Sequence, residues 1–392
     1  MAAIFAARGG AETTLVERTS DGGRKVLISG GGRCNILPSR LDETRFVTDS
    51  SPHALRKIVR SWPLREQIAF FEQELRLPLV EEPKSAKLFP ASSRARDVRD
   101  GLLALAARNG VALNMGTLVT GLAPHGDGWR ITHEPGPALH VDRVIVATGG
   151  LSVPATGSDG RGLAMLAALG HTLHPTYAAL TPLVAEPAPF AALAGVSLTV
   201  TITARTPELE AVATGGFLFT HHGYSGPSVL DVSHVAVRSL DDRTTPAQLR
   251  VRWTAHDEPA WEAKLRAGGP KSVLAIVRDE VPERLAEALI RHAGVEPRQK
   301  AAQLKRDERL RLVETLVRGE LPWTGHEGYK KAEVTGGGVS LAEIDPRTME
   351  SRRCPGLFIC GEALDAFGPI GGYNFLWAWA TGRAAGIGAA LA

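Results

Sequence analysis

The sequence predicts an α/β fold in which one doubly wound domain is split by an inserted domain of strands and helices. Three observations carry this. The chain opens "MAAIFAARGGAETTLVERTS", an apolar helix, a glycine pair and a short β-branched strand that closes on Glu17. Helix, glycine turn and strand ending in an acid form the second half of a nucleotide-binding βαβ unit. Two further apolar strands, in "VDRVIVATGG" and "GLFICGEALD", also run into glycine-rich turns. Between them, from about residue 179, the texture changes to alternating strands and charged helices. The expected organisation is therefore residues 1–178 and 332–392 as one nucleotide-binding domain, with 179–331 inserted.

Taken in order, residues 2–8 read as a helix stopped by Gly9 and Gly10, and Thr13 to Glu17 as a strand. The loop Gly30–Gly31–Gly32 follows, then a helix-rich stretch to about Leu75. Val98 to Ala107 is helical up to Gly110, and two hairpin-like strands stand near Leu118–Leu122 and Trp129–Thr132. Val144 to Ala147 has the length and continuous apolar character of a buried strand, and Gly162 to Leu169 is the next helix. In the insert, Val196 to Ala204 alternates as a half-buried antiparallel strand does; "GGFLFT" and "LRVRWTA" are similar. Pro259 to Gly319 reads as helices with charged faces. "EVTGGGVSL" returns to the glycine-rich style, Gly356 to Asp365 repeats strand, glycine and acid, and a glycine-initiated helix closes the chain. Trp377 and Trp379 on that helix are core candidates.

The 392 residues are 44% apolar and 22% charged, enough for two or three globular domains. Net charge is +3 with basic residues spread along the chain, so no nucleic-acid arm or membrane patch is expected. The three cysteines, Cys34, Cys354 and Cys360, are not at metal spacing and fit a reducing compartment. No apolar run approaches the ~18 residues of a membrane span. The opening lacks the basic region of a signal peptide. These features lead us to expect a cytoplasmic protein without a metal.

Several residues are suited to chemistry. Glu17, at the end of its strand, can accept hydrogen bonds from ribose hydroxyls of an adenosine cofactor; a solvated strand-end acid is the plain alternative. In "SGGGRCN", Gly30, Gly31 and Gly32 let backbone approach a ligand closely, and Arg33 can add charge beside phosphate. Cys34 reads either as a thiol near a redox group or as a small buried apolar residue. A Cys-x-x-x-x-Cys pair is excluded, because position 39 is Ser39. Thr148, Gly149 and Gly150 bring a turn close to a ligand at the carboxyl edge of a sheet, or simply join strand to helix. Asp365 can bind a ribityl hydroxyl, and Gly371–Gly372 opens a helix whose positive end can face a flavin. His221 and His222 are candidates for acid–base work or plain turn residues.

Together "KVLISGGGRCN", "KLFPASSRARDV", "VIVATGGLSVPATGSDGRG", "GGFLFTHHGYSGPSVLDVS", "VTGGGVSLAEIDPRTMES" and "GLFICGEALDAFGPIGGYNFLWAWATG" resemble the BaiN/YhiN-type flavoprotein family. The resemblance runs in order from residue 1 to near 390. It implies a Rossmann-like, glutathione-reductase-like FAD-binding domain with an insert over the flavin, in an NAD(P)/FAD-dependent oxidoreductase. Cofactor contacts are then expected from Glu17, Lys25, Gly30, Gly31, Gly32, Arg33, Cys34 and Asn35, and from Thr148, Gly149 and Gly150. The last segment is expected to add Gly361, Glu362, Asp365, Gly371, Gly372, Asn374 and Phe375.

Such proteins begin strand, G-x-G-x-x-G, helix, so that motif is expected upstream of Met1 in a longer reading frame. The resemblance implies FAD as cofactor, NAD(P)H as transient reductant, and reduction of a small hydrophobic, enone-type substrate. No catalytic acid or base is assigned beyond the weak candidates His221, His222 and Cys34. An RNA-modifying flavoprotein and a cofactor-free binding protein are the competing expectations.

Overall fold

A computed structural model describes residues 1–83, 85–241 and 245–392. The chain divides into two compact units, Met1–Ala178 with Glu333–Ala392, and Ala179–Ala332.

The first unit starts with α1 (Ala2–Arg8), which buries Ile4 and Ala6, and β1 (Thr14–Glu17). Next come α2 (Arg24–Ile28), β2 (Leu37–Pro38), α3 (Pro52–Arg60) and α4 (Leu64–Ala69). β3 (Leu79–Glu82) and β4 (Lys87–Pro90) complete a three-stranded antiparallel sheet with β2, inside and just beyond a stretch expected to be helix-rich. α5 (Ala95–Arg108) leads to β5 (Ala112–Met115), which lies parallel to β1 with Thr14 opposite Ala112. The hairpin expected at 118–132 is β6 (Leu118–His125) and β7 (Gly128–Glu134), extended by β8 (Leu139–Val141). β9 (Val144–Val146), α6 (Arg161–Ala168) and β10 (Leu173–Ala179) follow.

In the second unit β11 (Leu183–Val184), β12 (Ser197–Arg205), β13 (Glu210–Phe219) and β14 (Gly223–Ser225) precede α7 (Pro227–Asp241) and β15 (Gln248–Arg252). Helices α8 (Glu258–Ala267), α9 (Val273–Val277), α10 (Glu283–His292) and α11 (Arg306–Arg318) come next, then β16 (Gly319–Glu320) and β17 (Gly325–His326). The strands form one antiparallel sheet in the order β16-β15-β12-β13-β14-β11-β17. The alternation in β12 is real: Val200, Ile202 and Ala204 are buried while Thr199, Thr201 and Thr203 face away. α7 was not anticipated from its sequence. Its valines at 229, 232 and 235 repeat at helical spacing and are buried, and Pro227 occupies the first helical position, where no backbone N–H is needed.

The chain then returns to the first unit with β18 (Val334–Val339), β19 (Leu357–Ile359) and α12 (Tyr373–Leu391). β18 is wholly buried although half of it is glycine. A Cβ on Gly336 would stand 2.2 Å from the Tyr177 ring, and one on Gly337 2.2 Å from the Pro175 carbonyl, so only glycines let it run beside β10. β19 lies parallel to β9, Leu357 opposite Val144. The first unit thus holds two separate parallel pairs, β1 with β5 and β9 with β19, among helices, which is the α/β class the sequence predicts. α12 is its central helix. Gly386 lets α1 pack against it at backbone distance, and Trp377 and Trp379 are buried as expected.

Candidate functional site

The carboxyl ends of β1, β9 and β19 are where a fold of this kind holds ligands. Glu17 closes β1, and its Oε1 accepts from the Thr19 backbone N–H (2.7 Å) and hydroxyl (2.6 Å). These bonds fix the carboxylate and leave Oε2 without a hydrogen bond among the described residues. The loop after β9 reaches the same end, because Arg18 pairs with Asp159.

A polar cluster at this end joins residues far apart in sequence. Lys25 Nζ, on α2, donates to Glu362 Oε2 and to Ser152 Oγ across 337 and 127 positions. The Ser152 hydroxyl donates to Glu362 Oε1 (2.6 Å), which also accepts the Thr335 backbone N–H (2.9 Å). Thr335 Oγ1 in turn accepts the N–H groups of Leu151 (2.7 Å) and Ser152 (3.1 Å). Lys25 and Glu362 side chains remain 29% and 17% exposed, so the pair is reachable from solvent yet fixed on its inner side. Lys25 and Glu362 were expected at the site; Ser152 and Thr335 were not, and no local pattern marks them. Beside this pair Gly361 has φ +73°, and nothing lies within 4 Å of where its Cβ would stand. The Gly361 N–H donates to Thr381 Oγ1 (3.0 Å), and its carbonyl accepts from Trp377 Nε1 (3.0 Å), so this bare backbone is held rigidly.

The three glycines 30–32 all adopt positive φ (55°, 67° and 82°), and the Cβ position of Gly31 is open. They are followed by Asn35, whose buried Oδ1 has no hydrogen-bond partner among the described residues. An orphaned buried acceptor calls for a donor from elsewhere. Arg33 is not free for phosphate: it pairs with Glu82 (3.1 Å) and lies 4.2 Å over the Phe89 ring. Ser85's hydroxyl, then Arg33, hold the Glu82 carboxyl below its ordinary range. Cys34 is fully buried and burial pushes its thiol up to about 11, which keeps it protonated near neutral pH and unsuited to act as a nucleophile.

Other expected contacts point into the protein. Asp365 is 1% exposed, and its Oδ2 accepts from Thr48 Oγ1 (2.9 Å), Ser50 N–H (2.8 Å) and Ser50 Oγ (2.7 Å). The acid expected to meet a ribityl hydroxyl thus ties residues 48–50 to the last segment, and Glu362 is the acid at the strand edge. Gly149 and Gly150 make room for protein: their Cβ atoms would stand 2.7 Å from Ser158 Oγ and 2.4 Å from Thr335 Oγ1. Thr148 is met the same way by α6, where a Cβ on Gly162 would overlap its hydroxyl.

Gly372 (φ +91°) caps α12, but its Cβ would stand 2.4 Å from the Leu37 carbonyl carbon, so it serves the packing of β2. Gly371 (φ +126°) lies one residue earlier with only Lys87 Cε near, at 3.9 Å. Asn374 uses its amide on Gly368, accepting its N–H (2.8 Å) and donating to its carbonyl (2.9 Å). The Phe375 ring stacks on Trp379 with centroids 5.2 Å apart. His221 and His222 lie in the second unit, exposed in the turn between β13 and β14, and no carboxylate partners either among the described residues.

The fit to FAD rests on four features of the first unit: an oriented carboxylate at Glu17, an unpaired acceptor at Asn35, open left-handed backbone at Gly31 and Gly361, and the positive end of α12. Hydroxyl-rich and electron-rich groups match that donor and acceptor set. Among the described residues no group of His, Cys, Asp or Glu could hold a metal ion, and no helix is long and apolar enough to cross a membrane.

A family model described as HI0933-like protein Rossmann domain matches residues 1–388. The chain is 31% identical over 399 residues to a 3-dehydro-bile acid delta(4,6)-reductase of Clostridium scindens, covering 100% of this chain and 96% of that protein. It is 30% identical over 387 residues to a ribosomal RNA dihydrouridine synthase of Escherichia coli, covering 96% and 92%. Among solved structures it is similar to a 3-ketosteroid-delta4-(5alpha)-dehydrogenase from Rhodococcus jostii, at 18% identity and a TM-score of 0.47, covering 99% of this chain and 94% of that one.

Proposed function

The chain belongs to the HI0933-like Rossmann-domain family of FAD-dependent oxidoreductases, and from that premise we propose that it reduces a carbon–carbon double bond conjugated to a carbonyl group. The reading is supported by a bond type common to two relatives. A 3-dehydro bile acid with Δ4,6 unsaturation carries its double bonds in conjugation with the 3-carbonyl. Dihydrouridine is uridine with the ring double bond next to a carbonyl reduced. Reducing a double bond directly conjugated to a carbonyl adds a hydride at the carbon remote from the carbonyl and a proton at the carbon beside it. Bound FAD supplies hydride chemistry at its N5 atom.

The residues of this chain then bind and orient. Glu17 offers Oε2 to the adenosine ribose. Asn35 Oδ1, unpartnered among the described residues, accepts a donor from the cofactor. The Lys25–Glu362 pair, braced by Ser152 and Thr335, lines the edge at which Gly361 offers backbone to the cofactor. The observation that carries the assignment is this open glycine beside a braced ion pair at the carboxyl end of β19. We assign NAD(P)H as the source of electrons and a small hydrophobic enone as the substrate.

The test uses the FAD-saturated protein, reduced anaerobically with NADPH. It is mixed rapidly with a Δ4-3-ketosteroid, with the same steroid lacking the 3-carbonyl, and with unmodified ribosomal RNA. Reoxidation of flavin by the ketosteroid alone, with product heavier by two hydrogens, is expected. Reoxidation by RNA alone moves the same chemistry to a uridine substrate. No reoxidation by either refutes the reading.

A further inference from the structure

On the first unit a cavity of about 520 Å³ opens between α3, the segment Pro346–Arg347 and the middle of α12. Its cationic and basic lining comes from three parts of the chain: His53, Arg56, Lys57 and Arg60 on α3, Arg347, and Arg383 on α12. Among the described residues no carboxylate lines it. α3 explains its own contribution. Leu55, Ile58 and Val59 are buried on one side, which leaves positions 53, 56, 57 and 60 at helical spacing on the other. Like charges at that spacing repel one another.

Three of the cations are held in place. Arg60 reaches Glu43 through Nε (2.8 and 2.9 Å) and a terminal nitrogen (2.7 Å). Arg347 lies 3.6 Å from Asp345. The Arg383 guanidinium lies 5.4 Å over the Trp62 ring and 5.5 Å over the Phe5 ring, which fixes its plane without neutralising it. Arg56 and Lys57 have no ion pair or hydrogen bond among the described residues. Five permanent cations therefore meet two carboxylates, Glu43 and Asp345, both placed outside the lining.

A solvated helix face would account for α3 alone. It does not account for Arg347 and Arg383, brought from far along the chain to face the same hollow. Guanidinium forks and an ammonium around one space match the oxygens of a phosphate ester. The volume falls within the ~300–1,000 Å³ of small-ligand sites. A nucleic-acid strand is held instead by a groove that tracks its backbone. We propose that this cavity binds the phosphate groups of a free nucleotide. It is a site apart from the cofactor edge, since Arg383 lies about 16 Å along α12 from Gly372. The proposal does not depend on the flavin reading.

Calorimetric titration of the FAD-saturated full chain tests it, with inorganic pyrophosphate, GDP, guanosine and a ten-nucleotide single-stranded RNA. Pyrophosphate and GDP are expected to bind and guanosine is not. The double variant Arg56→Gln/Lys57→Gln is expected to weaken both by about tenfold or more. It should melt like the parent, because neither side chain has a partner to lose. Arg205→Gln, an exposed arginine of the second unit, is the control and should change nothing. Equal affinity of parent and double variant overturns the proposal. So does RNA binding that the double variant abolishes while pyrophosphate and GDP fail to bind, which would give the cavity to a nucleic-acid backbone.

Discussion

Replacing Gly372 by Val is expected to cost about 2–5 kcal/mol of stability, the largest effect of any single substitution considered. Two terms add. A side chain at φ +91° meets the left-handed penalty of roughly 1–2 kcal/mol. Its Cβ would also stand 2.4 Å from the Leu37 carbonyl carbon and 2.7 Å from Pro38 N, backbone atoms that cannot turn aside, and overpacking costs ~1–3 kcal/mol. Thermal unfolding followed by circular dichroism reads the result as a lowered Tm. An unchanged Tm would mean that the start of α12 does not press on β2.

Glu17→Ala is expected to weaken FAD binding by ~1.5–3 kcal/mol, which is roughly 10- to 150-fold in Kd. The carboxylate is oriented before any ligand arrives, because Oε1 is fixed by two bonds from Thr19. Losing it removes a charged acceptor and leaves the Thr19 donors to water. Glu17→Gln keeps an acceptor oxygen in place and should lose less. Titration of FAD into apoprotein, followed by flavin fluorescence, measures both. An unchanged Kd for Glu17→Ala removes the acid from the cofactor site.

Much of the α/β domain was legible because its signals are local. The helix at 2–8, the strand closing on Glu17, the hairpin at 118–132, the strand at 144 and the final helix each carry their own periodicity and stop. β18 was not legible, because its glycines answer to Tyr177 and Pro175 on another strand. α7 was hidden by β-branched residues that fit a strand as well as a helix face. In the site the difficulty is one of direction. An acid after a buried strand looks the same whether it meets a ligand or, as Asp365 does, Thr48 and Ser50. A glycine pair likewise reads the same whether its bareness admits a cofactor or, as at Gly149 and Gly150, neighbouring side chains. The bracing of Glu362 by Lys25 spans 337 positions and has no local trace.

That distinction between glycines gives the most direct test of where the cofactor lies. At Gly361 a Cβ would meet no protein atom within 4 Å, so Gly361→Leu should cost the fold only the left-handed penalty of roughly 1–2 kcal/mol. The added side chain would occupy the space assigned to the flavin. The measurement is the flavin absorbance of purified Gly361→Leu protein, expressed alongside its parent. The account predicts a variant that melts cooperatively and carries no flavin. A folded variant with the parent's flavin content would contradict it.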